Sequence, residues 1–224
     1  MPSATFFDVD GTLLKATVVH YYVFLRSRRT HPLLRLLWLG SFLPRIPYYL
    51  VLDWISRTLF NRRFYLNYRG YSPTDLECEA EPLYREFIRP RLYPEAVRRI
   101  RAHQSRGDEI VLVSGSLRPL LQPLVREFCI SQLFAADLAV EDGVYTGQLT
   151  GGPLTAERKG EVVQRFIQER GLDAAECTAY ADSLDDRMML ASVGKAYVVN
   201  PGRRLSRLAR EKGWEVLRWK QSSM

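Results

Sequence analysis

Two acids sit two positions apart in "FFDVDGTLL", residues 6 to 14, directly after an apolar run and directly before a glycine turn. Side chains at i and i+2 of an extended segment leave on the same side, so Asp8 and Asp10 start on one face unless the approach to Gly11 swings the second away. Three further features recur at the ends of predicted strands or the starts of predicted helices: Ser114 in "VLVSGS", Lys159 in "ERKGE", and Asp182 with Asp186 in "YADSLDD". Carboxylates gathered this closely repel one another, and a cation among them removes the conflict. An all-oxygen donor set with room for water suits Mg²⁺ better than zinc or copper. Ser114 adds a hydroxyl, Gly115 lets backbone N–H groups approach an anion, and Lys159 adds positive charge. Together these groups make a phosphate-sized site in which a carboxylate could act as a nucleophile.

Positioning them requires strands that end at a common edge. The segment 4–9 reads as an opening strand, and from "LYPEAVRRIRAHQSRGDEIVLVSGS" onward helices alternate with short apolar strands. The strands are "EIVLVS", "CTAYADS", "KAYVVN" and "WEVLRW"; the helices are "PLLQPLVREFC", "ERKGEVVQRFIQERG", "DDRMMLASVG" and "RRLSRLAREKG". "DLAVEDGVYTGQLTG" reads as a β-hairpin turning at Asp142-Gly143. The alternation predicts an α/β fold with a mostly parallel sheet covered on both faces, three Rossmann-like layers in all. In such sheets the ligand crevice lies at the carboxyl ends of the strands.

Residues 15 to 89 read differently. "VVHYYVFLRSR", "PLLRLLWLGSFL", "YYLVLDWISRTLF" and "PTDLECEAEPLYREFI" are predicted helices punctuated by prolines and Gly70. Between Lys15 and Arg63 there are nine Lys or Arg and one acid, Asp53, so most of the formal charge of +7 lies here. The arginines could be the solvated face of a bundle whose Trp, Tyr and Leu point inward. Alternatively, the segment could meet anionic lipid or an acidic partner. No nucleic-acid-binding motif accompanies the charge, so none is expected as a partner. The uncharged runs 36–44 and 46–52 are too short for a transmembrane helix. Three unpaired-looking cysteines, no zinc spacing and no signal-like start point to a cytoplasmic protein, with peripheral contact at a membrane open to it.

"FFDVDGTLL", "YPEAVRRIRAHQSRGDEIVLVSGS", "VEDGVYTGQLTGG", "ERKGEVV" and "YADSLDDRMML" occur in an order that closely resembles the haloacid-dehalogenase-like phosphohydrolase superfamily, in its phosphoserine-phosphatase-like branch (subfamily IB). The resemblance implies a catalytic core over 1–14 and 90–224 and a helical cap of the C1 type over 15–89, inserted after the first strand. It implies an Mg²⁺-dependent phosphomonoester hydrolase in which Asp8 becomes an aspartyl phosphate and Asp10 carries the proton. The metal would be held by Asp8, the Asp10 backbone carbonyl and Asp182. Ser114, Gly115 and Lys159 would bind phosphoryl oxygens, with Asp186 and Thr12 in support; Asp185 is expected to be a solvated loop acid. Phosphoserine phosphatases place a glutamate nine residues after the nucleophile, where this chain has Thr17. An apolar or lipid-derived phosphate is therefore the leading substrate class, with phosphoserine or an amino-alcohol phosphate as the alternative. A membrane-associated binding module with a vestigial phosphatase site is the reading from another class.

Overall fold

The computed structural model describes residues 3–221. Its main sheet has six strands, all parallel: β1 (Ala4–Phe7), β2 (Glu109–Leu117), β3 (Gln132–Ala136), β6 (Thr178–Ala181), β7 (Lys195–Val199) and β8 (Glu215–Leu217). Two others, β4 (Leu138–Glu141) and β5 (Val144–Leu149), form a separate antiparallel hairpin. The order in the main sheet is β3-β2-β1-β6-β7-β8. Strand order reverses at β1, so the crevice of the topological switch point opens where β1 and β6 end. Central strands are buried on both faces, which is why "TFF" and "TAYA" read as unbroken apolar runs rather than alternating ones.

The pleat divides the core in two. Phe6, Val111, Val113 and Ala179 face α8 (Ala156–Glu169) and α10 (Arg203–Lys212), while Phe7, Leu112 and Tyr180 face the side of α6 (Pro94–Ser105) and α7 (Arg118–Glu127). α9 (Arg187–Ala191), entered through a 3₁₀ turn at Leu184–Asp186, packs against the first of these layers. Trp219 closes the β8 side: it packs on Tyr93 and Tyr180, and its backbone is pinned by the Asn200 side chain. The hairpin turns as expected, with Asp142 at φ 49° and Gly143 at φ 76°, the pair of positive values a primed turn requires.

Between β1 and α6 the chain is helical: α1 (Val18–Arg29), α2 (Pro32–Phe42), α3 (Ile46–Ile55), α4 (Arg57–Phe64) and α5 (Pro73–Leu83), with short 3₁₀ turns between several of them. Its two ends meet. Leu14 pairs with Leu92 in an antiparallel bridge, and the Tyr93 N–H donates to the Leu13 carbonyl at 2.9 Å. An aromatic cluster of Tyr22, Phe42, Tyr49, Phe60, Phe64 and Tyr68 holds the helices together, with ring centroids 5.2 Å apart for Tyr22 and Tyr68 and 5.4 Å for Phe60 and Phe64. Each such pair adds about 0.5–1.5 kcal/mol beyond its buried area.

Three expectations change. The single helix read over 48–60 is two, broken at Ser56, whose extended backbone (φ −162°, ψ 118°) and side chain cap α4 by accepting from the Leu59 N–H at 3.4 Å. The strand read as "EIVLVS" continues to Leu117, so Ser114 lies within β2 rather than at its end. β3 was not read from the sequence; "QLFAA" is short and leads almost directly into the hairpin, leaving no turn signal to separate them.

The hairpin is bound to the helical segment by backbone. The Gly70 N–H donates to the Tyr145 carbonyl and the Tyr145 N–H to the Tyr71 carbonyl, both at 2.8 Å. Gly147, at φ 80°, lets the two backbones touch: a Cβ there would lie 2.8 Å from Leu66 Cα and 3.0 Å from the Tyr65 carbonyl oxygen. Gly147→Ala should therefore destabilise the protein by roughly 1–3 kcal/mol. Chemical denaturation would show it as a lower midpoint with an unchanged m-value, and an unchanged midpoint would contradict the contact.

Candidate active site

Asp8 leaves the end of β1 into a buried position. Its Oδ1 accepts from Lys159 Nζ at 2.6 Å and its Oδ2 from the Thr12 hydroxyl at 2.9 Å. Lys159, in the first turns of α8, also donates to Asp186 Oδ1 at 2.5 Å, and Asp186 Oδ2 accepts from the Ser183 hydroxyl at 2.6 Å. Asp182, the residue after β6, accepts from Thr12 at 3.3 Å. Carboxylate oxygens of Asp8, Asp182 and Asp186 all lie within 4.8 Å of one another. Gly11 makes this approach possible: at φ 94°, with a Cβ it would place that atom 2.1 Å from Asp182 Oδ2.

Burial pushes the Asp8 carboxyl up to about 7; the Lys159 ammonium opposes this, while Asp186 and Asp10 add to it. Burial, with Asp8 and Asp186 nearby, also holds Asp182 well above the ordinary carboxylate range. For Lys159 burial acts against the charged form, yet Asp186 and Asp8 outweigh it and raise the pKa above the usual lysine value. Three carboxylates thus share one buried ammonium, and the site is short of positive charge. The donors are all oxygen, so a hard divalent cation such as Mg²⁺ fits them.

Asp10 turns the other way, the outcome the glycine turn left open. Its Oδ2 accepts from the Ser116 hydroxyl at 2.6 Å and the Ser114 hydroxyl at 3.1 Å, while its Oδ1 is buried with no partner. Its carboxylate is not in the acidic cluster; Asp186 takes that place. All the site residues singled out in the sequence, Asp8, Asp10, Thr12, Ser114, Gly115, Lys159, Asp182 and Asp186, lie at this one end of the sheet.

Other residues of the site escaped sequence reading. Arg57 and Asn61, one turn apart on α4, line the cavity together with Thr155, and Ser116 shares Asp10 with Ser114. Nothing local marks Arg57 and Asn61, because "RTLFNRRF" also carries Thr58, Arg62 and Arg63 and a polar pair at four-residue spacing does not stand out in it. Asp185 is not a free loop acid; it lines the cavity and lies 3.4 Å from Arg57 Nε, and Arg57 Nη1 is 2.7 Å from Asp53. The Tyr65 hydroxyl donates to the Gly115 carbonyl at 2.5 Å, and the Thr58 and Thr155 hydroxyls are 2.8 Å apart. These contacts seat the helical segment on the strand ends and leave a cavity of about 40 Å³, room for a few waters.

Fold and site together are those of a Rossmann-like α/β enzyme, with acids, a lysine and hydroxyls converging where the strand order reverses. The model of the haloacid dehalogenase-like hydrolase family matches residues 5–191, and the chain belongs to that family, as one of its phosphatase-type enzymes. It is 30% identical over 219 residues to phosphoserine phosphatase SerB1 of Mycobacterium tuberculosis, covering 96% of this chain and 70% of that protein. A histidinol-phosphatase of Neisseria meningitidis is 30% identical over 154 residues, 67% of this chain and 69% of its own. Among solved structures, a protein of unknown function from Bordetella pertussis Tohama I superimposes with a TM-score of 0.79 at 26% identity, covering 97% and 98% of the two chains. A phosphoserine phosphatase holding a phospho-aspartyl intermediate analogue shares the fold with a TM-score of 0.72 at 16% identity, covering 98% and 94%.

The raised carboxyls predict a pH-dependent conflict in the metal-free protein. Asp8 titrates near 7 in the fold and near 3.8 when unperturbed, so the folded state holds a proton that the unfolded chain releases between these values. Stability from this source is present at low pH and declines as pH rises toward 7. Removing one charge should relieve it: Asp182→Asn is expected to raise the metal-free melting temperature at pH 7.5 by about 2–4 °C, the shift that roughly 1 kcal/mol gives a domain of this size. The same substitution should abolish the stabilisation that added Mg²⁺ gives the wild type. Melting curves with and without Mg²⁺ at pH 5.5 and 7.5 test both, and a metal-free variant less stable than wild type would contradict the reading.

Proposed function

We propose that the protein hydrolyses phosphomonoesters through an aspartyl phosphate on Asp8. The observation that carries this is the pairing of buried Asp8 with Lys159 and Thr12, which fixes both of its oxygens at the mouth of an anion-sized cavity. An Asp8 oxygen attacks phosphorus as the bond to the leaving oxygen breaks, and Asp10 gives that oxygen a proton. Water then attacks the aspartyl phosphate, Asp10 takes its proton, and the bond from phosphorus to Asp8 breaks to release phosphate. Two hydroxyls hold one Asp10 oxygen, and the other, Oδ1, accepts no hydrogen bond within ordinary distance and has the buried Tyr21 hydroxyl beside it. Lys159 and the Gly115 backbone bind phosphoryl oxygens, joined by the Ser114 hydroxyl once it gives up its hydrogen bond to Asp10. Asp8, the Asp10 carbonyl and Asp182, with Asp186 beside them, would hold Mg²⁺, which would supply the remaining charge neutralisation.

Residues 15–89 act as the cap. A cavity of about 40 Å³ cannot take a phosphomonoester and its leaving group, so α4 must withdraw for substrate to enter. The bridge between Leu14 and Leu92 ties the two ends of the segment together, and α5 is seated on α7, so the movement belongs to the helices before α5.

For the leaving group, Arg57, Asn61 and Val18 face the cavity, and no acid from residues 15–89 does so among the described residues. Thr17 lines it with its hydroxyl 2.9 Å from His20 Nδ1. A substrate ammonium therefore has no carboxylate on the cap to meet, and the leaving group is apolar or anionic. A phosphoserine-type substrate, suggested by the name of the Mycobacterium tuberculosis relative, is the second reading. A binding module with a vestigial site has no use for the complete set of Asp8, Asp10, Lys159 and Asp182.

Asp8→Asn should reduce turnover of an aryl phosphate to background while the fold is kept, Asp10→Asn should cost on the order of 10²–10⁴-fold in kcat, and EDTA should silence the wild type. Activity surviving Asp8→Asn or EDTA would refute the mechanism. On the substrate side, O-phosphoserine should show a kcat/KM no higher than its counterpart lacking the amine. A preference of about tenfold or more for the amine-bearing compound, the size of one charge-assisted hydrogen bond, would favour the second reading.

A further inference from the structure

Helices α2 and α3 form a hairpin, joined by the 3₁₀ turn Leu43–Arg45, that rests on the rest of the molecule through few side chains. Phe42 and Tyr49 are buried, and Trp38 stacks on Phe42 at 5.1 Å. Ile46 and Leu52 pack partly against the core, but most of the other apolar residues face outward: Leu33, Leu37 and Trp54 are 71%, 72% and 74% exposed, and Leu36, Leu50 and Ile55 are likewise in solvent. This overturns the inward-facing reading for most of the leucines of α2 and for Leu50 and Trp54 of α3, while Trp38 and the segment's Leu25, Leu76 and Leu83 do pack inward. Single exposed leucines are ordinary, but so many on one hairpin form an apolar surface of a kind that marks an interaction site.

Charge identifies the partner. From residue 30 to residue 52 the chain has no acid, and Asp53, which follows, is engaged by Arg57. Arg35, Arg45, Arg62 and Arg63 are exposed around the apolar face, and among the described residues none of them pairs with a carboxylate. An apolar face with a basic rim is complementary to a surface that is greasy within and anionic at its edge. A second copy of the chain would bring two basic rims together. Helices of eleven and ten residues extend about 15 Å each, half the hydrocarbon thickness of a bilayer, and no helix among the described residues is long and apolar enough to cross one. Such a hairpin can lie in the interface with its leucines and tryptophan among the acyl chains and its arginines at the headgroups.

We infer that the α2–α3 hairpin docks the protein on anionic membrane surfaces. α4 begins at the foot of α3 and carries Arg57 and Asn61 to the cavity, so docking holds the mouth of the site at the lipid boundary. On the phosphomonoesterase reading, on which this clause rests, the substrate is then a phosphorylated amphiphile.

Flotation with vesicles of phosphatidylcholine alone or with 30 mol% (about) phosphatidylglycerol tests the docking without reference to activity. The full chain should float with the anionic vesicles, with a blue shift of tryptophan emission, and stay behind with the neutral ones. Leu33→Glu/Leu37→Glu, at exposed positions away from the site, should lose flotation at least tenfold and keep wild-type turnover of aryl phosphate. Wild-type protein that ignores anionic vesicles, floats equally with neutral ones, or is a dimer that the double substitution splits would overturn the inference. For the amphiphile clause, vesicle-borne lysophosphatidate should be hydrolysed by wild type and at least tenfold more slowly by the double variant. Equal rates, or turnover of aryl phosphate alone, would remove that clause. Flotation with no turnover of any phosphate would sink the hydrolase reading and leave the docking standing.

Discussion

The burial of Asp8 against Lys159 is the constraint on which the rest of this architecture depends. A carboxylate and an ammonium removed from water are stable only if the pair is tight and the remaining lone pairs are met. Here Thr12 and Asp186 complete it, Thr12 from the turn after β1 and Asp186 from the turn after β6. Thr12 is local to Asp8, but Asp186 could not arrive unless β1 and β6 were neighbours, and their parallel register, with Phe7 opposite Tyr180, puts both exits at one level. Lys159 reaches the pair from the first turns of α8, and burial of Val163 and Phe166 on the sheet fixes that helix. The electrostatics of three side chains are in this sense a product of the packing of two apolar layers.

The same constraint explains why glycine is needed where it stands. The chain must leave β1, present Asp8 to one side and Asp10 to the other, and pass beside the Asp182 carboxylate within a few residues. Gly11 at positive φ and without a Cβ meets the last requirement. Asp10 then swings to the β2 side, where Ser114 and Ser116 stand two apart on one face of the strand and both hydroxyls point to it. Two acids adjacent in sequence thereby acquire different surroundings, one charged and crowded, the other held by neutral hydroxyls. Different surroundings are what allow two like groups to perform different chemistry.

Much of this was legible in the chain itself, and the parts that were not share a cause. The alternation of apolar strands and amphipathic helices from Tyr93 onward gave the layers, and local motifs gave Asp8, Asp10, Ser114, Lys159 and Asp182, because each has a local signature and all but Ser114, which lies inside β2, sit at or near an element boundary. The break at Ser56 was hidden because a capping serine inside an apolar run looks like an ordinary helical residue until its backbone is seen. Arg57 and Asn61 belong to the site only because the helical segment folds back over the strand ends, a long-range event with no local trace. The exposure of α2 was unreadable for a different reason. "PLLRLLWLGSF" is apolar on nearly every side, so periodicity cannot say which face is buried, and only packing decides.

That ambiguity also bears on how the site opens. Helices α1 to α4 meet the strand ends through a few polar contacts, Tyr65 to Gly115, Thr58 to Thr155 and Arg57 to Asp185, while stacked aromatic rings bind them to one another and α5 packs on α7 within the same apolar core. Polar contacts at a rim exchange readily with water, each worth about 0.5–1.5 kcal/mol net, whereas separating the aromatic cluster would expose a large apolar surface. The weak boundary therefore runs between these helices and the strand ends. It does not run everywhere along the segment: α5 is seated on α7, and the hairpin β4–β5 is joined to the helical segment by paired backbone at Gly70, Tyr71 and Tyr145, with Gly147 against Leu66. Opening must leave that side in place or carry the hairpin with it, and the seam that parts is the one lined by Arg57 and Asn61, which is where a leaving group would have to enter.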